Sequence, residues 1–374
     1  MWIEYIGITM SLIHQLALTF IKNIGPVLAK SMVAYAGSAE NVFLIHSSKL
    51  EKVPGIAAKT IKQIDFKAAL LRAEQEAAYV TKHNIDVIFY TDARYPKRLR
   101  ACNDAPVLLY AQGKVDLNPQ RVISIVGTRK ATAYGKDLCK ELVEELHTYG
   151  ALVVSGLAYG IDVAAHKDSV RLNVPTVGVL GHGLDRLYPA AHRSIADKML
   201  LNGGLLTEYP SGTAPDRENF PARNRIVAGM ADATVVIEAG IKGGALITAE
   251  IANSYNRDVF AFPGRVNDEF SEGCNYLIRH HKAGLLTNAA DLAYALGWEK
   301  DELIPKKPNQ LMLAMDLTAD ERLIMDVLGQ TKSIAIDELT LKIGMPVSLL
   351  TMNLLNLEMQ GFIRSMPGKA YCIS

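Results

Sequence analysis

No uninterrupted apolar run in this sequence approaches the roughly 20 residues that a helix needs to cross a bilayer, so nothing in it reads as a membrane span. The apolar start "MWIEYIGITMSLIHQLALTF" carries an early glutamate and lacks both a basic leader and a small-residue cleavage site, which argues against a secretion signal. Cysteine is scarce: four residues, at 102, 139, 274 and 372, each standing alone. Without a CxxC pair there is no zinc-ribbon pattern and no disulfide framework, and a reducing cytoplasm is the expected compartment. An excess of one charge is also missing. With 40 Lys and Arg against 39 Asp and Glu, any nucleic-acid binding must come from basic residues gathered locally. The dinucleotide fingerprint GxGxxG and the P-loop GxxxxGK[ST] are both absent. No carboxylate cluster suggests a metal, and no Ser-His-Asp or Cys-His set emerges. The expectation is a protein with no cofactor, no metal and no catalytic residues.

What is present fills 374 residues, half of them hydrophobic, enough for two or three domains. Residues 1–80 read as short helices containing two similar loops, "IKNIGPVLAKSMVAY" and "VPGIAAKTIKQI". Each places an apolar residue, a glycine turn and a helix start in succession, a pattern similar to paired helix-hairpin-helix (SAM-like) modules. An ordinary αα-hairpin with glycine at its turn satisfies the same pattern without any DNA. From 81 to 298, nine short apolar runs alternate with helical stretches: "VIFY", "VLLYAQG", "VISIVGT", "LVVSGL", "TVGVLG", "LLTEYP", "ATVVIEA", "DVFAFPG" and "GLLTN". Continuous apolar runs of this length suit strands buried on both faces, so the fold class is α/β, an extended Rossmann-like doubly wound sheet. Residues 299–312 form a charged, proline-containing linker. Residues 313–374 follow winged-helix order, three helices and then a two-stranded wing, with "IGMP" as the turn before the last helix.

Ligands of doubly wound sheets sit at the carboxyl ends of the strands. There the sequence places Gly127, Thr128 and Arg129; Ser155 and Gly156; Gly181 and Gly183; and Gly243, Gly244 and Thr248. Glycine turns let backbone N–H groups face an anion, so these residues are expected to form a phosphate-binding edge. A further loop, "PDRENFPARNRIVAG", supplies Arg217, Phe220, Arg223, Asn224 and Arg225. Arginines neutralise phosphates and an exposed phenylalanine stacks a base, a combination suited to single-stranded nucleic acid. The competing reading packs Phe220 as a helix staple and pairs an arginine with Glu208 or Glu238. Asp162 and His166 stand four apart on one helical face, either as an acid/base pair or, better supported, as a helix-start cap beside a locally bonded histidine.

Five ordered motifs, "SIVGTRKATAYG", "VVSGLAYGIDVAAH", "TVGVLGHGLDRLYPAAH", "GGLLTEYPSGTAPDRENFPARNRIVAG" and "VVIEAGIKGGALITAEIA", together resemble the DNA-processing protein A family, DprA or Smf. The resemblance runs over nearly the whole chain. It implies single-stranded DNA binding, protection of incoming DNA and loading of RecA recombinase during natural transformation. It also implies a homodimer formed through the Rossmann domain, and no enzymatic activity. The family's pocket maps onto Arg129, onto Arg217 as the basic residue three before the aromatic, and onto Phe220. One departure is His192, where the family often has asparagine in "YPxxN".

The winged helix invites a separate expectation. From 311 to 374 there are five Lys/Arg against seven Asp/Glu, a net of −2, and the last helix, "VSLLTMNLLNLEMQG", has no Lys or Arg. A helix that reads duplex DNA presents donors to phosphates and base edges. This domain is therefore expected to contact protein, and a sequence-specific regulator is disfavoured. An enzymatic alternative remains: "GGALITAE" resembles the glycine-rich signature of Rossmann-like nucleotide phosphoribohydrolases, with Glu250 and Arg129 as the working pair.

Overall fold

The computed structural model describes residues 2–298, 317–331, 333–366 and 370–373. The linker expected at 299–312 lies outside the described residues. The chain divides into two compact units, Met1–Ile304 and Pro305–Ser374.

All nine apolar runs form strands of one sheet: β1 Asp86–Phe89, β2 Leu108–Gly113, β3 Val122–Val126, β4 Leu152–Ser155, β5 Thr176–Val179, β6 Gly203–Thr207, β7 Ala233–Val236, β8 Asp258–Ala261 and β9 Gly284–Leu285. Every residue of β3 to β7 is buried, as continuous apolar runs require. Successive side chains of a strand point to opposite faces, and β3 divides its residues accordingly. Val122 and Val126 join the core beneath helices Asn219–Met230 and Gly244–Ser254. Ile123 and Ile125 join the core beneath helices Ala133–His147 and Ile161–Arg171. Helix Ala133–His147 buries Cys139, Leu142, Val143 and Leu146, a stripe at the helical period.

The strand order is β1-β2-β6-β5-β4-β3-β7-β8-β9. The chain winds from β3 outward through β4, β5 and β6, then returns to β7 on the other side. The topological switch point therefore lies between β3 and β7. One strand runs against the rest: β2 is antiparallel to both β1 and β6. The N-terminal helices cover this edge. Phe89, Val107, Leu108 and Tyr110 share one core with Leu16, Met32, Leu50 and Ala73. Gly25 caps helix Pro26–Ala36, and Gly55 turns the chain with a φ of +85° ahead of helix Ala58–Lys62.

The second unit has winged-helix architecture. Helix Ala319–Leu328 begins in a capping box of Thr318 and Glu321. Helix Ile336–Ile343 ends at Gly344 with a φ of +71°, the turn read from "IGMP". Helix Val347–Met359 follows, β11 Ile363–Met366 and β12 Ala370–Ile373 form the two-stranded wing, and β10 Ile334–Ala335, ahead of the second helix, adds a third strand to it in the order β10-β12-β11. Leu350, Leu354 and Leu357 close its core against Ile324, Leu328 and Leu339. Among the described residues no helix is long and apolar enough to cross a membrane.

Candidate nucleic-acid interface

The switch point is tightly closed. The Thr128 N–H donates to the Glu238 carbonyl at 2.7 Å, and the Thr128 carbonyl accepts from Ile161 N–H at 3.2 Å. The Glu238 side chain, 4% exposed, accepts from the backbone N–H of Thr132 at 2.9 Å and from its hydroxyl at 2.5 Å. That hydroxyl in turn accepts from Gly135 N–H at 3.1 Å, capping helix Ala133–His147. A Cβ at Gly135 would collide with the Glu238 carboxylate and displace it.

The other strand-end donors are engaged in the same way. Gly156 N–H donates to the Asp162 carboxylate at 3.1 Å, and the Ser155 hydroxyl donates to Ile125 O at 2.6 Å. Gly183 N–H bonds Thr213 O and Gly243 N–H bonds Gly240 O. Thr248 is buried and its hydroxyl donates to Gly244 O at 3.3 Å. Of the backbone N–H groups expected to cradle an anion at Gly127, Thr128, Ser155, Gly156, Gly183 and Gly243, those of Thr128, Gly156, Gly183 and Gly243 are therefore already bonded to acceptors within the protein. Gly181 makes room for an aromatic ring, since a Cβ there would meet Phe220 Cδ1 at 3.1 Å.

Two of the arginines belong to the architecture. Arg223 is 3% exposed and donates to the Val179 carbonyl from one guanidinium nitrogen. Burial pushes its pKa down to about 10, with the Asp162 carboxylate opposing that shift. Burial likewise raises Asp162, and Arg223 opposes it. Arg225 is paired with Glu208, both largely buried. His166 donates from Nδ1 to the Thr176 hydroxyl at 2.7 Å, since that hydroxyl donates onward to Val153 O at 3.0 Å. Burial lowers its pKa to about 3, so the ring is neutral. Asp162 faces Gly156, not His166, and the two are not an acid/base pair.

Both loop histidines are structural as well. His182 accepts Tyr188 N–H on Nε2 at 3.2 Å and donates from Nδ1 to Gly183 O at 2.9 Å. His192 donates from Nδ1 to Leu157 O at 2.9 Å, holding a residue whose φ is +55°. That role needs only a donor at this position, which an asparagine amide also supplies.

What stays exposed is basic and aromatic. Arg129 projects from the turn after β3, its guanidinium carbon 5.7 Å from the centre of the Phe220 ring. Phe220 lies 5.8 Å from Tyr188, which is 47% exposed. Tyr159, 48% exposed, packs its ring edge-on against His192 at 4.9 Å. Arg217 is exposed in the turn leading into helix Asn219–Met230, and half-buried Asn224 follows one turn after Phe220. Among the described residues neither Arg129 nor Arg217 has an ion-pair partner. Four separate strand-end loops thus contribute to one surface of unneutralised cations beside accessible rings. Gly243 and Gly244 lie across the switch point, at the start of helix Gly244–Ser254. Tyr159 and Tyr188 were missed by sequence reasoning, although both stand in the strand-end motifs. The available signal was an aromatic residue in the loops after β4 and β5.

Glu250, the carboxylate of the enzymatic alternative, is exposed and pairs with Lys282 at 3.1 Å. Among the described residues no group of three or more His, Cys, Asp or Glu could hold a metal ion, and all four cysteines are buried thiols.

The family model described as "DNA recombination-mediator protein A" matches residues 86–297, the whole sheet and its strand-end loops. The chain belongs to this family, known as DprA or Smf. The DprA winged-helix domain model matches residues 308–369. Protein Smf of Synechocystis is 36% identical over 288 residues, covering 76% of this chain and 72% of that protein. The putative DNA processing protein DprA of Mycobacterium tuberculosis is 38% identical over 274 residues, covering 73% and 70%. Among solved structures, DprA of Streptococcus pneumoniae is similar with a TM-score of 0.64 at 30% identity, covering 75% of this chain and 95% of that one. DprA of Helicobacter pylori, whose structure is described as giving its single-stranded DNA binding mode, matches with a TM-score of 0.53 at 28% identity, covering 57% and 97%. As a DprA family member, the protein is a DNA-processing protein.

Proposed function

We propose that the protein binds single-stranded DNA without sequence preference, protects it, and loads RecA recombinase onto it during natural transformation or recombination. It acts in the cytoplasm as a homodimer joined through the sheet domain. The observation that carries this reading is the contact between Arg129 and Phe220, a cation with no ion-pair partner among the described residues beside a half-exposed ring. A phosphate neutralises the arginine while a base stacks on Phe220, Tyr188 or Tyr159, and stacking is tolerant of sequence because every base has a π-face. Arg217 adds a second phosphate contact from the adjoining turn. The relative from H. pylori, described by its single-strand binding mode, supports the same ligand.

The protein works by binding rather than catalysis. Glu250 is held in an exposed pair with Lys282, where it serves as surface charge, not as a general base. The winged helix contributes a protein contact rather than duplex reading, since Met352, Leu355 and Met359 expose apolar side chains along one face of its last helix.

The test is a titration of a fluorescent single-stranded oligonucleotide, and of its duplex, against wild type and Arg129→Ala/Arg217→Ala across a range of salt. The wild type prefers the single strand. The double variant loses roughly a hundredfold in affinity, and its salt slope falls by about 1.4, or 0.7 for each lost phosphate contact. Equal affinity of variant and wild type would sink the assignment. Release of free base from nucleoside monophosphates would instead revive the enzymatic reading. RecA loading is read separately, as a shortened lag in RecA filament growth on the same oligonucleotide.

A further inference from the structure

A second cluster of cations lies where the chain after β1 meets the N-terminal helices, lined by none of the residues around Arg129 and Phe220 and within reach of the Arg225 charge. A cavity of about 350 Å³ opens there, lined by Lys30, Tyr90, Thr91, Tyr95, Arg100 and Ala105. Three pieces of chain build it. Lys30 comes from helix Pro26–Ala36, Tyr90 and Thr91 follow β1, and Arg100 ends the short helix Lys97–Arg100. Lys30 Nζ lies 5.9 Å from the centre of the Tyr90 ring, and the Arg100 guanidinium 5.7 Å from the centre of the Tyr95 ring. Tyr95 is fully buried and anchored by its hydroxyl to Pro106 O at 2.8 Å.

Neither cation has an ion-pair partner among the described residues. Among the described residues the Arg100 side chain donates only to the Asp92 carbonyl. The neighbouring carboxylates are occupied: Asp92, whose charge also reaches Arg100, pairs with Arg94 at 2.8 Å, Asp104 accepts the Tyr255 hydroxyl at 2.5 Å, and Glu208 holds Arg225. Half-buried Lys30 has a lowered pKa, from burial first and from the Arg225 charge second. The Asp104 charge opposes that shift, and an anion in the cavity would oppose it further. Two cations without ion-pair partners among the described residues, braced on aromatic rings around a volume of this size, fit a phosphate carrying a planar group.

We infer that this cavity is a second phosphate site, sized for one nucleotide, with Lys30 and Arg100 holding the phosphate and Tyr90 offering its ring. The inference does not depend on strand binding at Arg129. The nucleotide has two possible sources, a free mononucleotide or one unit of a bound strand, and the chemistry recognised is the same.

Isothermal titration of the full chain with dAMP and with inorganic phosphate tests the site, alongside oligonucleotide affinity, in wild type, Lys30→Gln/Arg100→Gln and Arg129→Gln/Arg217→Gln. If the source is free nucleotide, dAMP binding is saturable and falls about tenfold or more in the first variant while staying intact in the second, as loss of charge-assisted bonds requires. If the source is the strand, dAMP binds too weakly to saturate, but the first variant weakens oligonucleotide binding by about tenfold, and Lys30→Arg restores part of it. The proposal is overturned if Lys30→Gln/Arg100→Gln changes neither dAMP nor oligonucleotide binding. It is equally overturned if dAMP binding disappears only with Arg129 and Arg217.

Discussion

The sheet edge and the last helix of the winged unit are both places where a DNA-handling protein can touch nucleic acid, yet their side chains differ in kind. At the edge, Arg129 and Arg217 have no ion-pair partner among the described residues, and three aromatic rings stand nearby. On helix Val347–Met359 there is no basic residue, and Met352, Leu355 and Met359 are 55%, 56% and 80% exposed. A fold name would treat both as DNA-binding parts. Charge and exposure separate them, because the phosphate backbone supplies most of the affinity and only the first region can answer it.

The same separation runs inside the loop of four cationic and aromatic positions, and there it yields the largest expected effect. Arg225→Ala strips the partner from Glu208, a loss of about 3–5 kcal/mol in folding stability by chemical denaturation. Burial lifts the Glu208 carboxyl above its ordinary value while Arg225 opposes the lift. A raised folded value means the native state binds that proton more tightly than the unfolded chain, so stability from this group falls as pH rises through it. Without Arg225 the lift grows. The deficit of the variant is therefore greatest at neutral pH and shrinks as pH falls; a deficit independent of pH would break the assignment of Arg225 to the core. Arg129→Ala, by contrast, leaves the denaturation midpoint in place.

Phe220→Ala comes next. Loss of one stacked base weakens single-strand binding by about 1–3 kcal/mol, with the salt slope unchanged because no phosphate contact is lost. A changed slope would mean that Phe220 acts only by bracing Arg129. The smallest effect is expected from deleting residues 313–374, which alters oligonucleotide affinity by no more than about threefold, since a domain without a cationic helix neutralises few phosphates and releases few counterions. A loss of tenfold or more would place the winged unit on the DNA and erase the contrast.

Much of the architecture was legible because burial on both faces leaves a simple mark. Runs such as "VISIV" and "ATVVI" have no polar residue large enough to face water, and each became a strand. The antiparallel course of β2 was not legible, because "VLLYAQG" is as apolar as its parallel neighbours and direction depends on which strand receives it. The candidate site was half legible. Arg129, Arg217 and Phe220 could be found by residue type and position. The fate of Arg223 could not, since its anchor is the Val179 carbonyl, 44 residues away, and a backbone oxygen carries no sequence signature. Tyr159 and Tyr188 come together with Phe220 and His192 only once the loops after β4, β5 and β6 are folded onto one edge.

Glu238 has a wider consequence. In dinucleotide-binding folds the pyrophosphate rests at the switch point, against the start of the first helix. Here a carboxylate tethered to β7 occupies that berth and takes the Thr132 donors for itself. A compact cofactor would have to evict a competitor that can never diffuse away. A ligand at this edge must meet the exposed side chains of Arg129 and Arg217 instead.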